Sequence, residues 1–201
     1  MTEQEISLKK FKNHLNLRER KKIPLIDGFR QAAVLIPIVI TNGEKSLIFV
    51  KRTSNVTHHK GEIAFPGGKF DKKTDQTITF TSLRELEEEI GLTDVEVLGS
   101  IDDITTITKF VVTPVVGIIN DFSNLNNLKI DKNEVDYAIK VPLSFFFNEK
   151  NLEIKDINFN DKKYDIPFFY YKNEVIWGAT GRIILNLLEI LKDLYIDYGK
   201  F

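Results

Sequence analysis

Apolar positions along the 201-residue chain change period several times, and each change marks an element. Ile6, Phe11 and Leu15 fall at near-helical spacing and predict a short helix over residues 4–15. Pro24 and Gly28 break that pattern. From Gln31 to Thr41 the apolar run is short and β-branched, which suits a strand buried on both faces. Asn42-Gly43 is a hairpin turn signal, and Ser46 to Arg52 reads as the returning strand. Residues 53–61 read as a polar loop, and Glu62 to Phe65 as a brief strand ending in a turn at Pro66-Gly67-Gly68. A loop rich in Asp, Lys and Thr leads into a helix predicted over Ile78 to Ile90.

Strand patterns follow at 94–100 and 110–119, then an asparagine-rich polar excursion at 120–133 and a strand at 135–141. Pro142 opens a short aromatic turn or helix, and 152–158 with 163–176 alternate like a hairpin. An amphipathic helix closes the chain over 178–197, with Ile183, Leu187, Ile190, Leu191 and Leu194 in one stripe. No repeat or low-complexity linker interrupts this order. The expectation is one domain over 1–201, with an N-terminal helical arm at 1–30. Strands on both sides of a central helix predict an α/β (α+β) fold, a mixed sheet between helices.

Composition narrows the function. A net charge of −1 gives no global basic footprint for nucleic acid. The basic cluster Lys9, Lys10, Lys12, Arg18, Arg20, Lys21 and Lys22 reads as a solvated helix face. There are no cysteines, which excludes disulfides, zinc–thiolate sites and a cysteine nucleophile and fits a reducing cytoplasm. The start MTEQEISLKK does not read as a secretory signal. The longest apolar run, Ala32 to Ile40, contains Pro37 and is far shorter than the roughly 20 residues a membrane span needs. The expectation is a soluble cytoplasmic protein with neither nucleic acid nor membrane as partner.

The candidate chemistry lies in Arg84-Glu85-Leu86-Glu87-Glu88-Glu89-Ile90-Gly91-Leu92. At about 100° per residue, Glu85, Glu88 and Glu89 share one arc, opposite Leu83, Leu86 and Ile90, while Glu87 falls away from them. Like charges at i,i+4 cost a few tenths of a kcal/mol, and a hard divalent cation removes that cost. Helix arithmetic by itself favours an acidic solvated face. The neighbours shift the balance: the Gly67-Gly68 backbone can approach a phosphate or a metal closely, and Arg84 can orient Glu85.

The stretch resembles the signature box of the Nudix hydrolases, G-x5-E-x7-R-E-U-x-E-E-x-G-U with U aliphatic. Its second half matches at every fixed position from Arg84 to Leu92. Its first half departs: Gln76 stands eight before Arg84 where the family has Glu, and the loop carries Asp71 and Asp75. Such loop aspartates resemble the coenzyme A pyrophosphatase subgroup. So does the upstream element R-(S/A)-x3-R-x3-G-x3-F-P-G-G, matched by Arg52, Gly61, Phe65, Pro66, Gly67 and Gly68, with Thr53 in the small-residue slot and His59 two before the glycine. Thr57 replaces the second arginine, and Lys109 stands where the subgroup tends to have glycine. The resemblance covers roughly residues 30–185.

It implies a Nudix-type α/β/α sandwich and Mg²⁺- or Mn²⁺-dependent hydrolysis of the diphosphate bond of coenzyme A or an acyl-coenzyme A. The products would be 4′-phosphopantetheine and adenosine 3′,5′-bisphosphate. Metal ligands by this resemblance are Glu85, Glu88, Glu89 and the Gly68 carbonyl, with Arg84 orienting; the base is either one of these glutamates or an acid on a distant loop, for which Glu134 is the candidate. Candidate substrate contacts are Arg52, His59, Lys60, Gly67 and Gly68. Two other readings stay open: hydrolysis of another nucleoside diphosphate derivative or a nucleoside triphosphate, and a non-catalytic nucleotide- or coenzyme A-sensing module. The resemblance also allows a homodimer.

Overall fold

The two-residue turn at Asn42-Gly43, with φ of 52° and 81°, joins strand β1 (Arg30–Thr41) to β2 (Glu44–Arg52). These positive φ values match the right-handed twist of a hairpin. The register runs from Thr41 opposite Glu44 to Ile38 opposite Leu47. Beyond that point, in the computed structural model, which describes residues 3–53, 61–159 and 162–198, the two strands part. Strand β3 (Ile63–Ala64) then pairs with β2 and β4 (Gly67–Lys69) with β1. The Leu35 N–H donates to Pro66 O at 2.8 Å inside this fork.

The chain continues through α2 (Ile78–Ile90), β5 (Val95–Ser100), β6 (Ile104–Thr105) and β7 (Phe110–Ile119). It then forms β8 (Val135–Pro142), α3 (Leu143–Phe146), β9 (Leu152–Phe159), β10 (Lys162–Tyr171), β11 (Glu174–Trp177) and α4 (Gly178–Tyr198). The first helix, α1, is Glu3–Leu17. Strands β1 to β8 make one mixed sheet, in which β7 runs parallel to β1 and β8 closes the far edge of β2.

Both faces of β1 are covered, as its unbroken apolar run requires. On one face, Leu35, Val39, Ile48, Val50 and Val115 pack under Leu86 and Ile90 of α2. Phe122, Leu125, Leu128 and Ile130 of the polar excursion extend that layer. On the other face, Ile36, Ile38, Phe49 and Val116 pack against Phe11 and Leu15 of α1 and the predicted stripe of α4. The layers are helix, sheet, helix, the Nudix-type sandwich that the resemblance implies.

Three local expectations change. Gly67-Gly68 is a strand, because the parting of β1 and β2 leaves a free β1 edge for it. Residues 163–176 form two strands, broken at Lys172, whose φ is 53°. The last three strands form a separate antiparallel sheet. It is tied to the large sheet by Glu174, which accepts from Lys51 Nζ at 2.6 Å and from the Tyr137 hydroxyl.

The basic segment is also less solvated than its composition suggests. Arg18 pairs with Asp102 at 2.6 Å and Arg20 with Asp103 at 3.5 Å, while Asp103 also accepts from Ile23 N and Thr113 Oγ1. Asp102 and Asp103 therefore strap the arm to the sheet. Among the described residues, no helix is long and apolar enough to cross a membrane.

Candidate active site

Thr77 caps α2, its hydroxyl accepting the Phe80 N–H, and Gly91 ends it at φ 72°. The helix lies across the fork, with Leu86 and Ile90 buried, Glu85 against Gly68 of β4, and Glu89 against Gly67 of β4 and Arg52 at the end of β2. Glu89 is 2% exposed. Its Oε2 accepts the Gly67 N–H at 3.2 Å, and its Oε1 accepts Arg52 Nη1 at 3.3 Å. Burial pushes its pKa up to about 8, against the pull of Arg52, and the nearby charge of Glu85 adds to the rise.

Glu85 is partly buried and its pKa is raised by desolvation, with Arg84 Nη1 at 2.9 Å from its Oε1 opposing the rise. A Cβ on Gly68 would lie 2.4–2.5 Å from the Glu85 carboxylate atoms, so only glycine leaves this carboxylate its seat. Gly67 has φ 157°, and a Cβ there would meet Ala33 O at 2.4 Å. The glycine pair is thus dictated by two different close approaches.

Glu88 takes another course. Its Oε2 accepts Arg84 Nη1 at 2.7 Å across one helical turn, and its side chain is largely exposed. Among the described residues, no three acidic or histidine side chains converge as a ready metal group. Glu87 faces solvent, as the helix arithmetic indicates. Glu134 lies with its Oε2 4.0 Å from Arg52 Nη2, so Arg52 bridges Glu89 and Glu134, and the Glu134 charge acts on both Glu85 and Glu89. His59 and Lys60, with Thr57, lie outside the described residues.

Two residues at the site carry roles that the sequence reading does not assign. Asp75 takes both Arg84 Nε (2.8 Å) and Nη2 (3.1 Å), and accepts from Thr81 Oγ1 and the Asp71 N–H. The bidentate partner of Arg84 is therefore Asp75, one residue before Gln76. The Thr77 cap was the available signal, since an acid two residues before it overlies the first turn of the helix. Asp131 is the second: its N–H donates to Glu89 O at 3.0 Å, and Lys129 N to Ile90 O at 3.1 Å. The 120–133 excursion thus satisfies carbonyls left open at the end of α2.

One buried and one partly buried carboxylate, a glycine floor and an all-oxygen donor set fit a hard divalent cation. Glu85, Glu89 and the Gly68 carbonyl could hold it, while Glu88, here paired with Arg84, could join them only by giving up that bond.

A NUDIX domain model matches residues 30–151. A protein of Photorhabdus laumondii named "Uncharacterized Nudix hydrolase NudL" is 33% identical over 191 residues, 92% of this chain and 97% of that protein. One of the same name from Pectobacterium atrosepticum is 34% identical over 166 residues, 82% of this chain and 84% of that one. The solved structure of a MutT/nudix family protein from Enterococcus faecalis superposes with a TM-score of 0.55 at 12% identity, covering 96% of this chain and 75% of that one.

Proposed function

We propose, for a chain that belongs to the Nudix hydrolase family and is a pyrophosphohydrolase of nucleoside diphosphate derivatives, that the substrate is coenzyme A or an acyl-coenzyme A. Hydrolysis of its diphosphate bond releases 4′-phosphopantetheine and adenosine 3′,5′-bisphosphate. One observation carries this reading. Four residues of the coenzyme A pyrophosphatase pattern touch the site glutamates or their arginine: Arg52 and Gly67 on Glu89, Gly68 against Glu85, and Asp75 on Arg84.

In this reading each side chain has a defined task. Arg84, clamped by Asp75, orients Glu85; Arg52 orients Glu89 and presents its remaining charge to the phosphates. His59 and Lys60, outside the described residues, are the further phosphate-binding candidates of the pattern. Glu134, with an exposed carboxylate beside Glu85 and Glu89, accepts the proton of the attacking water. A divalent ion held by Glu85 and Glu89, Mg²⁺ or Mn²⁺, would neutralise charge on the phosphate oxygens and acidify water.

The second reading, another nucleotide substrate, rests on Thr57 and Lys109. Lys109 holds φ 61°, the left-handed conformation that glycine adopts freely, so the glycine-type turn into β7 persists despite the lysine. That leaves Thr57 as the departure that matters. The test is turnover of coenzyme A, dephospho-coenzyme A, NADH, ADP-ribose and nucleoside triphosphates with Mn²⁺ or Mg²⁺, followed by product separation. Coenzyme A should be cleaved fastest, and faster than its dephospho form. A tenfold or greater preference for ADP-ribose or a triphosphate would sink the coenzyme A assignment.

A further inference from the structure

We propose that Asp131 is a positioning residue that sets Glu134 against the glutamate helix, an inference that rests on Glu134 being the base. The Glu134 side chain is 52% exposed, so packing alone does not fix it. Its backbone is fixed instead. The carbonyl of Asp131 accepts the N–H groups of Glu134 (3.1 Å) and Val135 (2.9 Å). Its Oδ1 accepts both the backbone N–H and the Nδ2 of Asn133, at 2.9 and 2.8 Å. Its own N–H is spent on Glu89 O.

One residue therefore holds three neighbours: the turn that carries Glu134, the strand that follows it, and the helix position that carries Glu89. From the opposite side, Thr53 donates its N–H to Glu134 O (2.9 Å) and its hydroxyl to Asn133 O (3.0 Å). Thr53 directly follows Arg52, the guanidinium that faces both Glu89 and Glu134. The turn is thus pinned to the end of α2 and to the end of β2 together. Removing the Asp131 carboxylate frees Asn133 and widens the range of positions open to Glu134, while the backbone bonds to α2 remain.

The test is a double-mutant cycle on kcat and KM with the best substrate of the panel above, coenzyme A first. Glu134→Gln should lower kcat by about a hundredfold or more. Asp131→Ala should lower kcat about tenfold with KM within about twofold. Asp131→Asn, which keeps the Oδ1 acceptor, should restore kcat to within about twofold of the native enzyme. In the Glu134→Gln background, Asp131→Ala should cost nothing further. An equal drop in that background would overturn the proposal, because Asp131 would then act through α2. Native kcat in folded Asp131→Ala would overturn it as well. Native kcat in Glu134→Gln would instead remove the base reading, and with it anything for Asp131 to position. If Asp131→Ala does not fold, Thr53→Val loosens the same turn from the β2 side and should show the same non-additivity.

Discussion

Asp75 and Arg84 form a two-point ion pair, in which the Asp75 side chain is wholly excluded from solvent and both of its oxygens face the guanidinium. The same guanidinium reaches Glu85 and Glu88, so the pair anchors one end of the candidate metal cradle. The Arg84 guanidinium holds the Asp75 carboxyl well below the usual carboxylate range, despite an opposing push from burial. A depressed carboxylate contributes stability that is fully present above its unfolded pKa, about 3.9, and is lost as pH falls further. Asp75→Asn should therefore cost about 1–3 kcal/mol at neutral pH, read by urea denaturation. The gap to the native protein should close as pH drops below about 4. A gap independent of pH would refute the ion-pair account.

The two glycines of β4 should fail in different ways. Gly68→Ala places a methyl against the movable end of Glu85, so the fold should survive while kcat/KM falls about a hundredfold. Gly67→Ala drives a methyl into the backbone of Ala33 and Val34 at a φ disfavoured for alanine, and should destabilise by about 3 kcal/mol or more. Thermal unfolding alongside turnover separates the two effects. Equal unfolding temperatures for the pair would contradict this assignment.

Metal binding should be visible without turnover. Saturating Mn²⁺ or Mg²⁺ should raise the unfolding free energy, by roughly 2.7 kcal/mol at one hundred times Kd. The double variant Glu85→Gln/Glu89→Gln should lose that shift and its activity together. A shift of the same size in the variant would place the ion elsewhere.

Lys109 holds its left-handed backbone at a cost. Lys109→Gly should stabilise the chain by about 0.5–1 kcal/mol, the relief of left-handed strain less the extra unfolded freedom of glycine. Substrate preference should not change. Destabilisation would show that the lysine side chain makes a contribution larger than its strain.

Much of this was legible before any coordinates. Periodicity gives α2 from Ile78 to Ile90, and Asn42-Gly43 gives the hairpin, because both depend on local signals. Helix arithmetic separates Glu87 from Glu85 and Glu89 correctly, since angular position is fixed by sequence. It does not separate Glu88, whose direction is decided by competition from Arg84. Gly67-Gly68 as a strand and Asp131 as a helix stop both depend on contacts between distant segments. No window of residues contains them. The polar excursion was opaque for the same reason: its asparagines suggest a loop, while its carbonyl-capping N–H groups carry no sequence signature.

The fork between β1 and β2 has an evolutionary consequence. The floor under Glu85 and Glu89 is main chain, paired to β1 and bonded to Glu89 through an N–H. Relatives that diverge freely in the side chains of residues 69–74 would still inherit the same floor. Drift in the loop can then retune what the enzyme accepts without dismantling what it does to the diphosphate.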